Sequence, residues 1–165
     1  MGRKAFERGL KTRRKVLGDA WVDQSLASMT PFNAEFQDLI TRHAWDDIWN
    51  RPGLSHKVRR MLVLAICTAL GRWEEFSLHC GAALRSGDLS PDDVKEVLLQ
   101  CAVYAGVPAA NTAFREARKL VEELAPAGRK AAAKPGSKAK GKDKTEAKGS
   151  EKGKPGAAKA RKPGK

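Results

Sequence analysis

Cysteine is scarce in this chain of 165 residues, and the three that occur are not arranged for a disulfide framework or a zinc site. Cys67, Cys80 and Cys101 are odd in number, and none has a partner at C-x-x-C spacing. Each lies in an apolar stretch of helical character, where a small buried thiol is the ordinary explanation. We therefore predict buried free thiols, no metal site and a reducing, cytoplasmic location.

Long hydrophobic runs are also missing. No apolar segment follows Met1, and the apolar run at residues 61–70 is too short to span a bilayer. Glycine-rich phosphate loops, serine nucleophile elbows, H-E-x-x-H motifs and dinucleotide fingerprints are absent as well. These features argue against a membrane protein and against the common nucleotide-dependent and metal-dependent enzymes.

Residues 128–165 contain none of the large apolar side chains that build a core. They have no Leu, Ile, Val, Met, Phe, Tyr, Trp or Cys, and consist mainly of Lys, Ala, Gly, Pro and Ser. The apolar surface that this segment could bury is too small to offset the conformational entropy lost on ordering the chain. We predict one folded domain at residues 1–127, followed by a disordered basic tail at 128–165.

The net charge of +13 belongs to the two ends of the chain. Residues 128–165 contribute +11 and residues 1–15 contribute +6, whereas residues 16–127 carry −4. A nucleic-acid-binding domain carries its positive charge on the folded body, so this distribution argues against one. Two interpretations of the tail stay open: a solvated segment without a dedicated partner, or a non-specific polyanion contact through counterion release.

Caps and turn residues divide the domain into helices, and almost no segment has the alternating pattern of a strand. The predicted helices cover residues 3–17, a segment capped by Thr30 with Phe32, Phe36, Leu39 and Ile40 at helical spacing, residues 55–70, residues 73–86, a segment from the Ser90 cap to Gly106, and a segment from Pro108 to Pro126. Residues 50–53 predict a turn. The helix at 55–70 is apolar almost all round, so we expect it to be central. The alanine-rich last helix has surplus apolar surface, which predicts an oligomer.

Glu75 and His79 are four residues apart, so they lie on one face of a helix. A carboxylate beside an imidazole can orient the ring, raise its pKa and form a proton-transfer pair. The same spacing also describes an ordinary surface pair, so both interpretations stay open.

Three further polar residues stand next to aromatic or turn positions. His43 lies near Trp45, as a catalytic group or as a packed side chain. Arg51 precedes the proline turn and Arg59 lies on the first turn of the next helix; each can bind a carboxylate bidentately or remain a surface cation. His56 is expected to be exposed and is given no role.

Several motifs, taken in order, resemble the γ-carboxymuconolactone decarboxylase family over about residues 7–125. They are residues 16–20 (VLGDA), 40–45 (ITRHAW), 48–54 (IWNRPGL), Glu75-x-x-x-His79, 82–84 (AAL) and 100–111 (QCAVYAGVPAAN). The resemblance implies an all-α, compact six- to seven-helix orthogonal bundle of the alkylhydroperoxidase-like type, assembled as a homohexamer. It also implies cofactor-free decarboxylation of 4-carboxymuconolactone, a lactone dicarboxylate, to 3-oxoadipate enol-lactone in protocatechuate breakdown.

The resemblance also implies roles for individual residues. His79 and Glu75 match catalytic positions, and Arg51 and Arg59 match positions suited to binding the substrate carboxylates; we expect His43 and Trp45 to line the same site. One residue departs from the family pattern, because Asp46 stands where glycine is expected. A carboxylate beside a dianionic substrate is unfavourable unless it points away.

The alkylhydroperoxidase branch of the same superfamily offers an alternative, thiol peroxidase or reductase chemistry. Its C-x-x-C-x-x-x-H motif would place cysteines at Arg72 and Glu75, where this chain has none. Thiolate chemistry needs a nucleophilic and usually a resolving cysteine. A third alternative is a non-catalytic protein that binds polyanions through its basic tail.

Overall fold

A computed structural model describes residues 2–125 of the chain. The predicted tail at 128–165 lies outside the described residues. Seven α-helices and one π-helical segment account for nearly all of residues 2–125, and no strand occurs there. The helices are α1 (Gly2–Leu17), α2 (Asp19–Ala27), α3 (Ala34–Ile40), α4 (His56–Leu70), α5 (Trp73–Ser86), α6 (Pro91–Tyr104) and α7 (Val107–Leu124), and the π-helical segment is Thr41–Ile48. The predicted all-α bundle is confirmed.

Local signals fix the boundaries of the three middle helices. Ser55 caps α4 by accepting a hydrogen bond from the Val58 N–H. Gly71 and Gly87 end α4 and α5 with positive φ angles of 65° and 73°, a conformation that favours glycine. Ser90 and Asp93 form a reciprocal capping box at the start of α6. These are the boundaries that the sequence predicts.

One prediction about an individual helix is wrong. Thr30 does not cap a helix: its backbone N–H donates to the side chain of Asn33, and α3 begins only at Ala34. The predicted stripe on that helix is largely exposed, and Phe32 is 99% exposed. The helix α4 packs against α5, α6 and α7, as expected of a central helix, and leaves Leu62, Ile66 and Leu70 on an exposed face.

The core has two parts. The larger cluster contains side chains from α4, α5, α6 and α7, including Leu64, Phe76, Leu98 and Ala113. A second cluster joins α1, α2 and the π-helical segment, and consists of Val16, Leu17, Val22, Trp45 and Trp49. Val63 of α4 packs on both clusters and so connects them, and Leu78 of α5 packs on the second cluster.

The π-helical segment packs directly against α1. At Gly9 the two backbones approach so closely that a Cβ atom would overlap the carbonyl oxygen of Thr41. At its end the Trp49 N–H donates to the Ala44 carbonyl at 3.0 Å, a bond that spans five residues. No helix within residues 2–125 is long and apolar enough to cross a membrane.

Candidate active site

The π-helical segment and α5 together build a stack of three aromatic rings. Trp45 and Trp49 lie with ring centroids 5.3 Å apart, and the His79 ring of α5 stacks on both, at 6.2 Å and 6.3 Å. The ring of His56, the first residue of α4, packs edge-to-face with the Trp49 ring, with centroids 5.8 Å apart. We call the rings of Trp45, Trp49 and His79 the aromatic stack. Two predicted site residues, His79 and Trp45, are therefore brought together.

His79 is held in its neutral form. Burial among the tryptophans, followed by the positive charge of Arg60, lowers its pKa to about 4, and the negative charge of Glu75 only partly opposes them. Glu75 acts in the direction expected of a carboxylate beside an imidazole, toward a higher pKa. Burial and the Arg60 charge together outweigh the carboxylate of Glu75.

Glu75 does not hold the His79 ring by a hydrogen bond. The Nδ1 atom of His79 is fully buried and has no hydrogen-bond partner among the described residues, and Glu75 is exposed. An unpaired buried acceptor is less costly than an unpaired buried N–H donor. The geometry thus favours the tautomer that carries its proton on Nε2, which leaves Nε2–H as a hydrogen-bond donor.

Arg60 is a buried cation that the sequence analysis missed. It is fully buried on α4, and its Nε donates to Asp88 at 2.9 Å. Its Nη1 atom is also buried and has no partner among the described residues. In the sequence Arg60 is one of two adjacent arginines near a helix start, a pattern typical of the surface. No local signal distinguishes it from Arg59.

Arg51 and Arg59 lie next to each other. Arg59 donates from Nη2 to the carbonyl oxygen of Arg51 at 3.0 Å. Arg51 is exposed, and neither guanidinium forms an ion pair with a described residue. The Arg59 guanidinium therefore lies at the backbone of Arg51, and a guanidinium without an acidic partner can hold a carboxylate ligand.

His43 lies apart from the aromatic stack. Its side chain is 60% exposed, and its Nδ1 lies 2.8 Å from an Asp47 carboxylate oxygen. The interpretation of His43 as a residue packed among aromatic rings is therefore wrong. In the same segment Trp45 is buried in the core, whereas His43 lies on the outside.

Asp46 points away from the aromatic stack and toward α1. It is buried, and its carboxylate accepts two hydrogen bonds from Arg8, at 3.0 Å and 2.6 Å, and one from Asn50 at 3.0 Å. The Arg8 guanidinium is the main reason that the pKa of Asp46 lies below its ordinary value. The negative charge of Asp46 is thus compensated by Arg8. Because the carboxylate points away from the aromatic stack, it does not oppose the binding of a dianionic substrate there.

Beside this ion pair lies a cavity of about 420 Å³. Its lining consists of Arg8, Lys11, Thr12, Lys15, Asp46, Asn50 and His56, and we call it the cationic pocket. None of the predicted catalytic or substrate-binding residues lines it. The signal that pointed to it is the basic cluster in residues 1–15, where positions 8, 11, 12 and 15 fall on one face of a helix.

The three cysteines are buried and free, as predicted. Burial raises the pKa of Cys80 to about 12, and it also raises the pKa values of Cys67 and Cys101. A thiol must ionise to act as a nucleophile, so these environments are unsuited to peroxide chemistry.

Comparison with known proteins gives consistent matches. Residues 34–119 match the sequence model of the carboxymuconolactone decarboxylase family. The chain is 38% identical over 125 residues to a 4-carboxymuconolactone decarboxylase of Acinetobacter baylyi, covering 76% of this chain and 92% of the relative. It is 35% identical over 126 residues to a nitrosuccinic acid decarboxylase of Metarhizium robertsii, covering 76% and 87%. A 4-carboxymuconolactone decarboxylase of Pseudomonas putida is 52% identical over 42 residues, covering 26% of this chain and 88% of the relative.

Proposed function

The chain belongs to the carboxymuconolactone decarboxylase family, and from this membership and the geometry of its site we propose that it decarboxylates 4-carboxymuconolactone without a cofactor. The product is 3-oxoadipate enol-lactone, in the protocatechuate branch of aromatic catabolism. The family resemblance inferred from the sequence is confirmed. The predicted enzyme class, a carboxy-lyase, is confirmed by the two long relatives, both of which are named as decarboxylases.

The observation that carries the proposal is the position of His79. It is the histidine of the family motif, and it lies in the aromatic stack as a neutral imidazole at neutral pH. A neutral imidazole still carries one N–H group, and this group can donate a hydrogen bond to a developing oxyanion.

The substrate itself supplies the electron sink. When CO₂ leaves, the electron pair of the broken C–C bond moves through the ring alkene into the lactone carbonyl and forms a dienolate. The Nε2–H of His79 stabilises the oxygen of that dienolate, and a proton taken up from solvent then adds to the ring carbon next to the lactone carbonyl to complete the product. We propose that Arg51 and Arg59 hold the substrate carboxylates and that Trp45 forms a wall of the site.

Glu75 has a smaller role in this proposal. Its negative charge partly opposes the effect of Arg60 on the His79 pKa, so it acts on the electrostatics of the imidazole. His43 is left outside the site, because it is exposed and paired with Asp47.

We also propose that the protein forms a homo-oligomer, a hexamer by analogy with the family. Support comes from exposed apolar side chains on neighbouring positions of α4 and α6, including Ile66, Leu70, Val103 and Tyr104 at 55–81% exposure. Patches of this kind mark interaction surfaces. The surplus therefore lies mainly on α4 and α6 rather than on the last helix, where the sequence analysis placed it. Three free thiols also fit the proposed cytoplasmic location.

The proposed reaction is tested by incubating the full-length protein with 4-carboxymuconolactone in the presence of a metal chelator. Loss of the lactone absorbance together with one CO₂ per lactone is the expected result. Nitrosuccinic acid is the comparison substrate, because one relative is named for it. Turnover of nitrosuccinic acid alone would reject the proposed substrate, and turnover of neither compound would reject the proposed activity.

A further inference from the structure

Two lysines of the cationic pocket form no ion pair with any described residue. Lys11 and Lys15 are both exposed and lie four residues apart on α1. Other basic residues of the same helix are paired, Arg3 with Glu7 and Arg14 with Asp19. Like charges at this spacing destabilise a helix by about 0.2–0.5 kcal/mol. The pocket therefore keeps two uncompensated cations side by side at a small cost in stability.

The floor of the pocket does not cancel this charge. Asp46 is already bound by Arg8 and Asn50, and Thr12 donates to the Asn50 side-chain oxygen at 2.7 Å. Three cations and one carboxylate leave the pocket two positive charges in excess. Burial, and after it the positive charge of Lys15, lowers the pKa of His56, which also lines the cavity.

We propose that the cationic pocket is a binding site for a small dicarboxylate anion, separate from the aromatic stack. Lys11 and Lys15 each contact one carboxylate, and the side of the Arg8 guanidinium not used by Asp46 contributes a third cation. The cavity of about 420 Å³ accommodates a molecule of four to six carbon atoms. This inference concerns binding only and does not depend on the proposed reaction.

The spacing of the lysines favours two anionic groups over one. Residues four apart on a helix are separated by about 6 Å along its axis. A dicarboxylate with a short linker places its two charges at a comparable separation, whereas phosphate concentrates its charge at one centre. The rings of His56 and Trp49 separate the pocket from His79. His56 lines the pocket and packs on Trp49, and Trp49 stacks on His79.

Succinate, which the proposed reaction does not consume, is the probe for this site. Its affinity is measured by isothermal titration calorimetry for the wild-type full-length protein and for three variants. Lys11→Gln/Lys15→Gln removes the two lysines of the pocket. Lys4→Gln/Lys119→Gln is the matched control, since it changes the net charge equally at residues that do not line the pocket. Arg59→Gln removes a cation of the proposed reaction site.

We expect succinate to bind the wild type, the control and Arg59→Gln with similar affinity, and Lys11→Gln/Lys15→Gln at least tenfold more weakly. No succinate binding by the wild type, or equal affinity in Lys11→Gln/Lys15→Gln, would overturn the proposal. So would a loss of affinity only in Arg59→Gln, which would assign the dicarboxylate to the Arg51 and Arg59 cations. Tighter binding of inorganic phosphate than of succinate at the same lysines would reject the dicarboxylate assignment.

Discussion

The neutral state of His79 makes the stability of the protein depend on pH in a defined window. The pKa of this residue falls from 6.5 to about 4 on folding, because the ring is buried in the aromatic stack and lies near the charge of Arg60. Between those values the unfolded chain binds more protons than the folded one, so stability decreases as the pH falls. The contribution is complete above pH 6.5 and is progressively lost toward pH 4.

The size of this effect follows from the two pKa values. Between pH 7.5 and pH 4.5 the wild type should lose about 2.5 kcal/mol of unfolding free energy through His79 alone. His79→Gln cannot titrate, so it should lack that loss while retaining the contributions of the carboxylates. The difference between the two pH profiles isolates the His79 contribution.

Urea unfolding followed by far-UV circular dichroism, at a fixed protein concentration and at pH 4.5, 5.5, 6.5 and 7.5, measures both profiles. His43→Gln is the matched control, because His43 is exposed, and its profile should follow the wild type. Parallel profiles for the wild type and His79→Gln would refute the assignment of a buried, neutral imidazole.

Two further predictions concern the contact between α1 and the π-helical segment. Gly9→Ala should lower the unfolding free energy by about 1–3 kcal/mol, since its Cβ meets the Thr41 carbonyl, whereas Gly2→Ala, with open space around it, should leave the urea midpoint nearly unchanged. Asp46→Asn should lower the unfolding free energy by about 1–2 kcal/mol at pH 7, because it weakens the bidentate contact with Arg8. This loss should shrink as the pH falls toward 3, where the wild-type carboxylate itself begins to be protonated. A loss that does not depend on pH would contradict the ion-pair interpretation.

The helices that begin and end on local signals are the ones that the sequence predicts. A serine cap at position 90, and glycines at 71 and 87 that adopt positive φ, act within a few residues of the boundary they set. The helix α2 and the π-helical segment have no such signal. Both pack against α1, the π-helical segment through the close approach at Gly9, so their geometry requires the tertiary structure.

The candidate site divides in the same way. The sequence motifs identified His79 and Trp45 as candidate site residues, and the structure places both in the aromatic stack. The sign of the His79 pKa shift was not predictable, because it is set by burial and by Arg60, nineteen positions earlier in the sequence, more than by the nearby Glu75. The sequence shows the basic face of α1 but not the cationic pocket itself, since the pocket also needs His56 at the start of α4.

The most direct test of the account is the turnover number of His79→Gln on 4-carboxymuconolactone. A hydrogen-bonding or proton-transferring group at the reacting centre typically contributes about 10²–10⁴ in rate. We therefore predict that His79→Gln lowers kcat at least a hundredfold, with unchanged helicity and assembly, whereas His43→Gln keeps near-normal kcat. Near-normal kcat in His79→Gln would contradict the account and move the catalytic centre away from the aromatic stack.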